Sequence, residues 1–213
     1  MSSITIRNII FDLGGVILNI NPQLTVDQLR VLGWKDFYQQ DNQSLNKELF
    51  YQLEKGNSTP EAFRDNVRRM VMDEISDSAI DDAWSAMILD MPADRIRYLE
   101  ALKKSYRIFL LSNTNEIHRI KFHREFEQQF GYPFNDLFEQ NFYSHEMGMR
   151  KPDPQIYIHA LSEAGIVAEE TLFIDDMEIN TEAAKHIGMT VLHIKEGSLL
   201  DTLPGYLKGL EIY

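Results

Sequence analysis

Four polar clusters, far apart in a chain of 213 residues, have side chains suited to chemistry on an anion. Asp12 ends the apolar run Ile4–Phe11 and opens the turn Asp12-Leu13-Gly14-Gly15. Ser112-Asn113 ends Tyr106–Leu111, and Asp175-Asp176 ends Thr171–Ile174. Lys151 lies in the segment Ser144–Pro152. This set suits phosphoryl transfer. A carboxylate can attack phosphorus and become an acyl phosphate, dividing one hard step into two. The attack brings two anions together, so a divalent cation and a lysine must neutralise them, and catalysis is mostly positioning and charge stabilisation. In this scheme Asp12 is the nucleophile and Lys151 the neutralising cation. Asp12 and Asp176 hold Mg²⁺ from two strands, Asp175 helps directly or through water, and Gly14 offers its carbonyl. Ser112 and the Asn113 amide bond the phosphoryl oxygens, and Gly15 and Arg150 are further phosphate-binding candidates.

Each cluster also has a plainer reading. A single Asp after a strand commonly forms a turn or caps a helix. Asp175-Asp176 can cap a helix beginning near Glu178, Ser112-Asn113 can be a simple turn, and Lys151 and Arg150 can be solvated charges. Order and placement favour chemistry, because three clusters directly follow apolar runs.

The elements that must position these residues follow from periodicity. The runs Ile4–Phe11, Tyr106–Leu111, Thr171–Ile174 and Met189–Ile194 read as buried strands. Helical patterns over Pro92–Lys104, Pro154–Ala164 and Glu178–Ile187 separate them, with Gly165 and Gly188 as stops. Alternating strands and helices predict an α/β fold, a doubly wound parallel sheet. In such sheets ligands bind outside the carboxyl ends of the strands, which brings Asp12, Ser112 and Asp175-Asp176 to one edge. Asn21 to Asp90 differs. It carries helical segments at Gln23–Leu32, Ser44–Leu53, Thr59–Met72 and Asp77–Leu89, and no strand. Gly131–Leu137 reads as an irregular loop.

Composition narrows the function classes. Hydrophobic residues make up 44% of the chain, which is enough for a packed core. Without cysteine there is no disulfide, thiolate metal site or cysteine nucleophile, so a metal must sit on oxygen or imidazole ligands, favouring Mg²⁺. A net charge of −12 argues against nucleic acid. No apolar run approaches the roughly 20 residues of a membrane span. The start MSSITIRNIIFD lacks a secretory pattern, so the cytoplasm is the expected compartment. A monomer or weak homo-oligomer is expected.

Together these residues resemble the haloacid dehalogenase-like hydrolase superfamily. Phe11-Asp12-Leu13-Gly14-Gly15-Val16 is similar to its first motif, Leu110-Leu111-Ser112-Asn113 to its second, and Lys151-Pro152 to its third. Phe173-Ile174-Asp175-Asp176, with Asn180 following, is similar to its fourth. The resemblance implies a Rossmann-like core over residues 1–18 and 91–213, a helical type 1 cap over 19–90, Mg²⁺ and a small phosphorylated metabolite as substrate. FDLGGVI, LLSNTN and GMRKP further resemble the α-D-glucose-1-phosphate phosphatase branch, implying a sugar phosphate.

One position departs from the family. Most phosphatase members carry a second Asp, a general acid/base, two residues after the nucleophile. Here that residue is Gly14, and general acid–base help is typically worth about 10²–10⁴-fold. His145, Glu146 and His118 are candidates to replace it, though each is also readable as a surface or hydrogen-bonded residue. Asn19 and Asn21 can face the cap entrance or merely form turns. Trp34 and Trp84 can line a pocket or pack the cap. Rival readings are a non-catalytic phosphometabolite-binding protein, a 2-haloacid dehalogenase and a phosphomutase.

Overall fold

A computed structural model of the chain describes residues 5–34, 43–71, 74–195 and 198–210. Its sheet is all-parallel, with β1 (Asn8–Phe11), β2 (Arg107–Ser112), β3 (Gln140–Tyr143), β4 (Thr171–Asp175) and β5 (Thr190–His193) in the order β3-β2-β1-β4-β5. The main helices are α1 (Pro22–Val31), α2 (Gln43–Glu54), α3 (Pro60–Val71), α4 (Asp77–Trp84), α5 (Ala93–Leu102), α6 (Glu116–Phe130), α7 (Ser144–Met147), α8 (Pro154–Ala164), α9 (Glu178–His186) and α10 (Leu199–Leu210). None of the described helices is long and apolar enough to cross a membrane.

Strand alternation divides the core in two. Ile9, Phe11, Ile108, Leu110, Leu172 and Ile174 face one side, packing with Leu99 of α5, Phe122 and Phe126 of α6 and Leu203 of α10. Ile10, Phe109, Leu111 and Phe173 face the other, against Ile156 and Ala160 of α8 and Ala184 of α9. A parallel sheet covered on both faces needs apolar residues at its central positions, which is why Ile9-Ile10-Phe11 follow one another in β1, while the buried Asn8 at its start is satisfied by donating to Glu170 O and Thr171 Oγ1. The chain winds from β1 through β2 to β3 on one side and through β4 to β5 on the other. The winding therefore reverses between β1 and β4, and a crevice opens at their carboxyl ends.

The helices α1 to α4 lie between β1 and β2 and pack around their own centre of Leu29, Phe63, Val67, Ile80 and Trp84, joined by Ile117 of α6. Phe63 is fully buried there, so truncating it to Ala would cost about 3–5 kcal/mol. The segments entering and leaving this unit are zipped together. Asn19 N–H donates to Asp90 O, Leu89 N–H to Asn19 O and Asn21 N–H to Met87 O, with Ile20 bridged to Ile88. The Asn19 amide also donates to Asp90 Oδ1 at 3.0 Å, while the Asn21 side chain caps α1.

Several expected elements differ. The helix expected over Asp77–Leu89 ends as α-helix at Trp84 and tightens into a 3₁₀ turn, Ser85–Met87. Thr25 holds that turn by donating to Trp84 O and accepting from Met87 N–H. The helix expected over Thr59–Met72 is described as Pro60–Val71. Thr59 Oγ1 accepts from Ala62 N–H at its start, and Met72 lies outside the described residues. Ile4 of the expected first strand also lies outside them. The segment Ser144–Pro152 is not all loop, since it begins with α7, stopped by Gly148 at φ 68°. Nor is Gly131–Leu137 fully irregular, because Phe134–Leu137 forms a 3₁₀ turn. Three elements had no expected counterpart. α6 buries Ile117, Phe122 and Phe126, β3 is an edge strand whose Gln140 and Asn141 interrupt the apolar pattern, and α10 contains Pro204 yet buries Leu199, Leu203 and Leu207 at four-residue spacing.

Candidate active site

Register between β1 and β4 brings the acidic residues together. Phe11 pairs with Ile174, so the next residues, Asp12 and Asp175, come side by side at the carboxyl ends of the two strands, and Asp12 N–H donates to Ile174 O. Lys151 bridges them. Its Nζ lies 2.7 Å from Asp12 Oδ1 and 2.7 Å from Asp175 Oδ2, and only 1% of the residue is exposed. Burial alone pulls the Lys151 ammonium down, but the two carboxylates outweigh it and hold it above the ordinary lysine range. The Phe173 ring lies 5.5 Å below Nζ.

The carboxylates are not equivalent. Asp175 is fully buried and saturated, accepting from Met177 N–H, from the Asn180 amide and from Lys151. Asp12 is less well supplied. Burial pushes its carboxyl up to about 7, against the pull of Lys151 and with the help of Asp175 and Asp176. Asp176 is also raised, by burial first and by Asp175 next. One oxygen from each of Asp12, Asp175 and Asp176 lies within 4.8 Å of the others. Three carboxylates sharing one lysine leave excess negative charge in a shielded place. That oxygen-only set fits a hard divalent cation, Mg²⁺ above all.

Glycine shapes the approach. Gly15 has φ +76°, and a Cβ there would stand 2.3 Å from Asp176 Oδ2. The turn after Asp12 is closed by Ile17 and Leu18 N–H groups donating to Leu13 O and by Gly15 N–H donating to Leu18 O. Gly14 has room only for a tight Cβ, 3.2 Å from Ile20 Cδ1.

On the β2 side, Ser112 ends the strand, buried. Asn113 positions the lysine, with its Oδ1 accepting from Lys151 N–H at 2.8 Å and its Nδ2 donating to Lys151 O at 2.9 Å. The side chain of Asn113 is thus spent on the lysine's backbone. Ser144 Oγ both accepts from Thr114 N–H and donates to Thr114 O, locking β3's end to this loop.

Arg150 is placed elsewhere. Its guanidinium pairs with Glu54 at 2.9 Å and lies 4.0 Å over the Tyr51 ring, so it joins the core to α2. Burial raises Glu54, against the pull of Arg150 and Lys151. Nearby, a Cβ on Gly56 would meet His145 O at 2.1 Å, so the α2–α3 turn presses on α7. Glu54 and Tyr51 had no distinguishing signal in the sequence. Lys55-Gly56-Asn57 is a turn signal in the sequence, which does not show what the turn packs against.

The candidates for the missing acid/base are also accounted for. Glu146 is exposed, 3.8 Å from Arg119. His145 Nε2 lies 3.3 Å from Glu116 Oε2 but off the hydrogen-bond direction. His118 is buried, with Nε2 3.1 Å from Trp84 O. Trp34 and Trp84 belong to the helical unit's own core.

Known proteins resemble this chain in sequence and fold. The family model for haloacid dehalogenase-like hydrolases matches residues 6–188. A D-ribitol-5-phosphate phosphatase from Bacteroides thetaiotaomicron is 29% identical, over 91% of this chain and 94% of its own. The sesquiterpene phosphatase astK from Aspergillus oryzae is 30% identical, over 90% of this chain and 91% of its own. Among solved structures, the HAD family enzyme bt-2542 from Bacteroides thetaiotaomicron, in complex with magnesium and inorganic phosphate, superposes with a TM-score of 0.83. It is 35% identical, covering 91% of this chain and 96% of that one. With its four motifs meeting at the carboxyl edge of a parallel sheet, the chain belongs to the haloacid dehalogenase-like hydrolase family.

Proposed function

We propose that the protein is a Mg²⁺-dependent phosphomonoesterase acting on a small phosphorylated metabolite, a sugar or polyol phosphate, through an aspartyl-phosphate on Asp12. The observation that carries this reading is the bridge from Lys151 Nζ to Asp12 and Asp175, with Asp176 completing a three-carboxylate cluster. The magnesium and phosphate bound by the related enzyme support it.

In this mechanism Asp12, Asp176 and the Gly14 carbonyl would hold Mg²⁺, with Asp175 behind them. When bound, the ion would offset the charge of the phosphoryl group and of Asp12. Lys151 orients Asp12 by its 2.7 Å bond and adds a buried positive charge where two anions must meet. Ser112 and backbone amides beside it hold the phosphoryl oxygens. An Asp12 oxygen forms a bond to phosphorus as the bond from phosphorus to the ester oxygen breaks. Water then attacks the acyl phosphate, releasing phosphate and restoring the carboxylate. Gly14 supplies no side chain for the proton transfers, so the leaving oxygen takes its proton from water.

Residues 19–90 are read as a cap over the strand tips. The zipped pair of Asn19 with Asp90 and Ile20 with Ile88 supports a hinge at those boundaries, and Arg150–Glu54 supports a closed position.

The test is phosphate release from p-nitrophenyl phosphate and from a panel of phosphorylated metabolites, with Mg²⁺ and with EDTA, in wild type and Asp12→Asn. Mg²⁺-dependent release that vanishes in Asp12→Asn is expected. Phosphate binding without turnover in the wild type would instead favour the non-catalytic reading that Gly14 raises.

A further inference from the structure

A cavity of about 80 Å³ has Gly14, Ser112 and Asn113 in its lining, the residues to which the proposed mechanism brings the phosphoryl group. Most of its wall is apolar, including Leu18, Ile20, Ile88 and Phe122. Gly14 keeps it open, since a side chain there would run into Ile20. The titratable group in its lining is His118, itself 8% exposed.

The ring of His118 has a determined tautomer. Nε2 faces the Trp84 carbonyl at 3.1 Å, and a carbonyl can only accept, so Nε2 carries the proton. Burial, with Lys121 adding to it, pushes the imidazole down to about 4 even though the Trp84 carbonyl opposes this, so the ring is neutral near pH 7. Nδ1 is then an acceptor. Among the described residues no protein group bonds it. The ring cannot turn freely to find one, because it is stacked on Trp84 at 5.0 Å and 20°, and its backbone N–H is held by Asn115 Oδ1. Among the described residues Nδ1 is not one of the buried polar atoms cut off without a partner, so water, or a hydroxyl taking its place, can reach it.

We propose that this cavity is the leaving-group subsite and that His118 Nδ1 accepts a hydrogen bond from a hydroxyl of the substrate, selecting short polyhydroxylated phosphates. The proposal rests on the phosphatase reading and names its substrate class. Size agrees with it. At roughly 10–15 Å³ per water on this measure, the cavity takes a few carbons of a short polyol with their hydroxyls, and far less than a fifteen-carbon terpenoid.

The experiment compares kcat/KM for a five-carbon alditol phosphate, its monodeoxy analogues and p-nitrophenyl phosphate, with Mg²⁺, in wild type, His118→Phe and Trp84→Phe. His118→Phe keeps the ring's volume and stacking but removes Nδ1. Trp84→Phe cuts the Trp84–Asn115 bond and leaves Nδ1 in place. In wild type, one deoxy analogue is expected to be at least about tenfold poorer than the parent. His118→Phe should bring that pair within about twofold, with its loss on the alditol phosphate mainly in KM and at least several-fold larger than its loss on p-nitrophenyl phosphate. Trp84→Phe should keep the deoxy discrimination. The inference is overturned if His118→Phe still discriminates, or if it loses equally on both substrates, as a purely structural role requires. It is also overturned if the wild type hydrolyses p-nitrophenyl phosphate but shows no deoxy preference. Failure of the wild type on every phosphate, p-nitrophenyl phosphate included, sinks the phosphatase reading itself, a distinct result.

Discussion

A Cβ on Gly15 would stand 2.3 Å from Asp176 Oδ2, inside the closest approach of real atoms, so the turn after Asp12 and the acidic tip of β4 are built against each other. Gly15 also sits at φ +76°, where an L side chain costs about 1–2 kcal/mol. Gly15→Ala should therefore displace Asp176 and weaken Mg²⁺ binding at least tenfold. Isothermal titration with Mg²⁺ measures this without any turnover, and unchanged affinity would show that Asp176 is not a ligand.

Lys151 is the keystone charge. Lys151→Met leaves Asp12 and Asp175 buried without a cation, a loss of the kind that costs about 3–5 kcal/mol. Urea denaturation should show a destabilisation of that size, and phosphate release should fall to background. A variant as stable as wild type would mean that the carboxylates are compensated by something else.

Asp12→Asn should abolish turnover while keeping the fold. The carboxylate it removes is held by burial well above its ordinary range, which marks it as unfavourable to the native state at neutral pH. The variant should melt at or above the wild-type temperature in the absence of Mg²⁺. Wild-type-like turnover would exclude Asp12 as the nucleophile.

The pair Arg150–Glu54 joins α2 to the segment carrying Lys151, at 2.9 Å and largely shielded from water. Arg150→Met should cost about 1–3 kcal/mol by leaving Glu54 unpaired. Adding Glu54→Gln should recover much of this. A double-mutant cycle with no coupling would show that the pair does not hold the helical unit to the core.

His118 sets a pH dependence. Its folded pKa, about 4, lies below the ordinary value of 6.5, so the unfolded chain binds the proton more readily. The stability this contributes is fully present above about pH 6.5 and is lost as pH falls toward 4, up to about 3 kcal/mol. The Trp84 carbonyl and Lys121 are the groups that act on the ring besides its burial. Between pH 7 and 4.5, wild type should lose about 2–3 kcal/mol more than His118→Phe in urea denaturation. Parallel pH profiles would show that the imidazole titrates normally.

Much of the fold was legible from local pattern. The strands β2, β4 and β5 and the helices α5, α8 and α9 appear near their expected bounds, because apolar runs and glycine stops are local signals, whereas β1 begins only at Asn8, later than the expected Ile4. β3 was not legible, since an edge strand needs fewer apolar residues and its Gln140 and Asn141 hide it. α10 was obscured by Pro204 and Gly205, and only packing of Leu199, Leu203 and Leu207 on the core sustains it.

The order of motifs by itself pointed to Asp12, Ser112, Lys151 and Asp175-Asp176 meeting at one edge of the sheet. Each lies where an apolar strand or a glycine-bounded turn must release the chain, and a parallel sheet gathers such ends on one edge. It also determined that the position after Leu13 carries no acid. What only the tertiary structure decided is which side chain meets which. Asn113 spends its amide on the Lys151 backbone, Arg150 turns to Glu54, His118 fixes its proton on Trp84, and Gly15 makes room for Asp176. Those pairings join segments tens of residues apart, and their partners depend on how strands register and helices pack, which no spacing along the chain encodes.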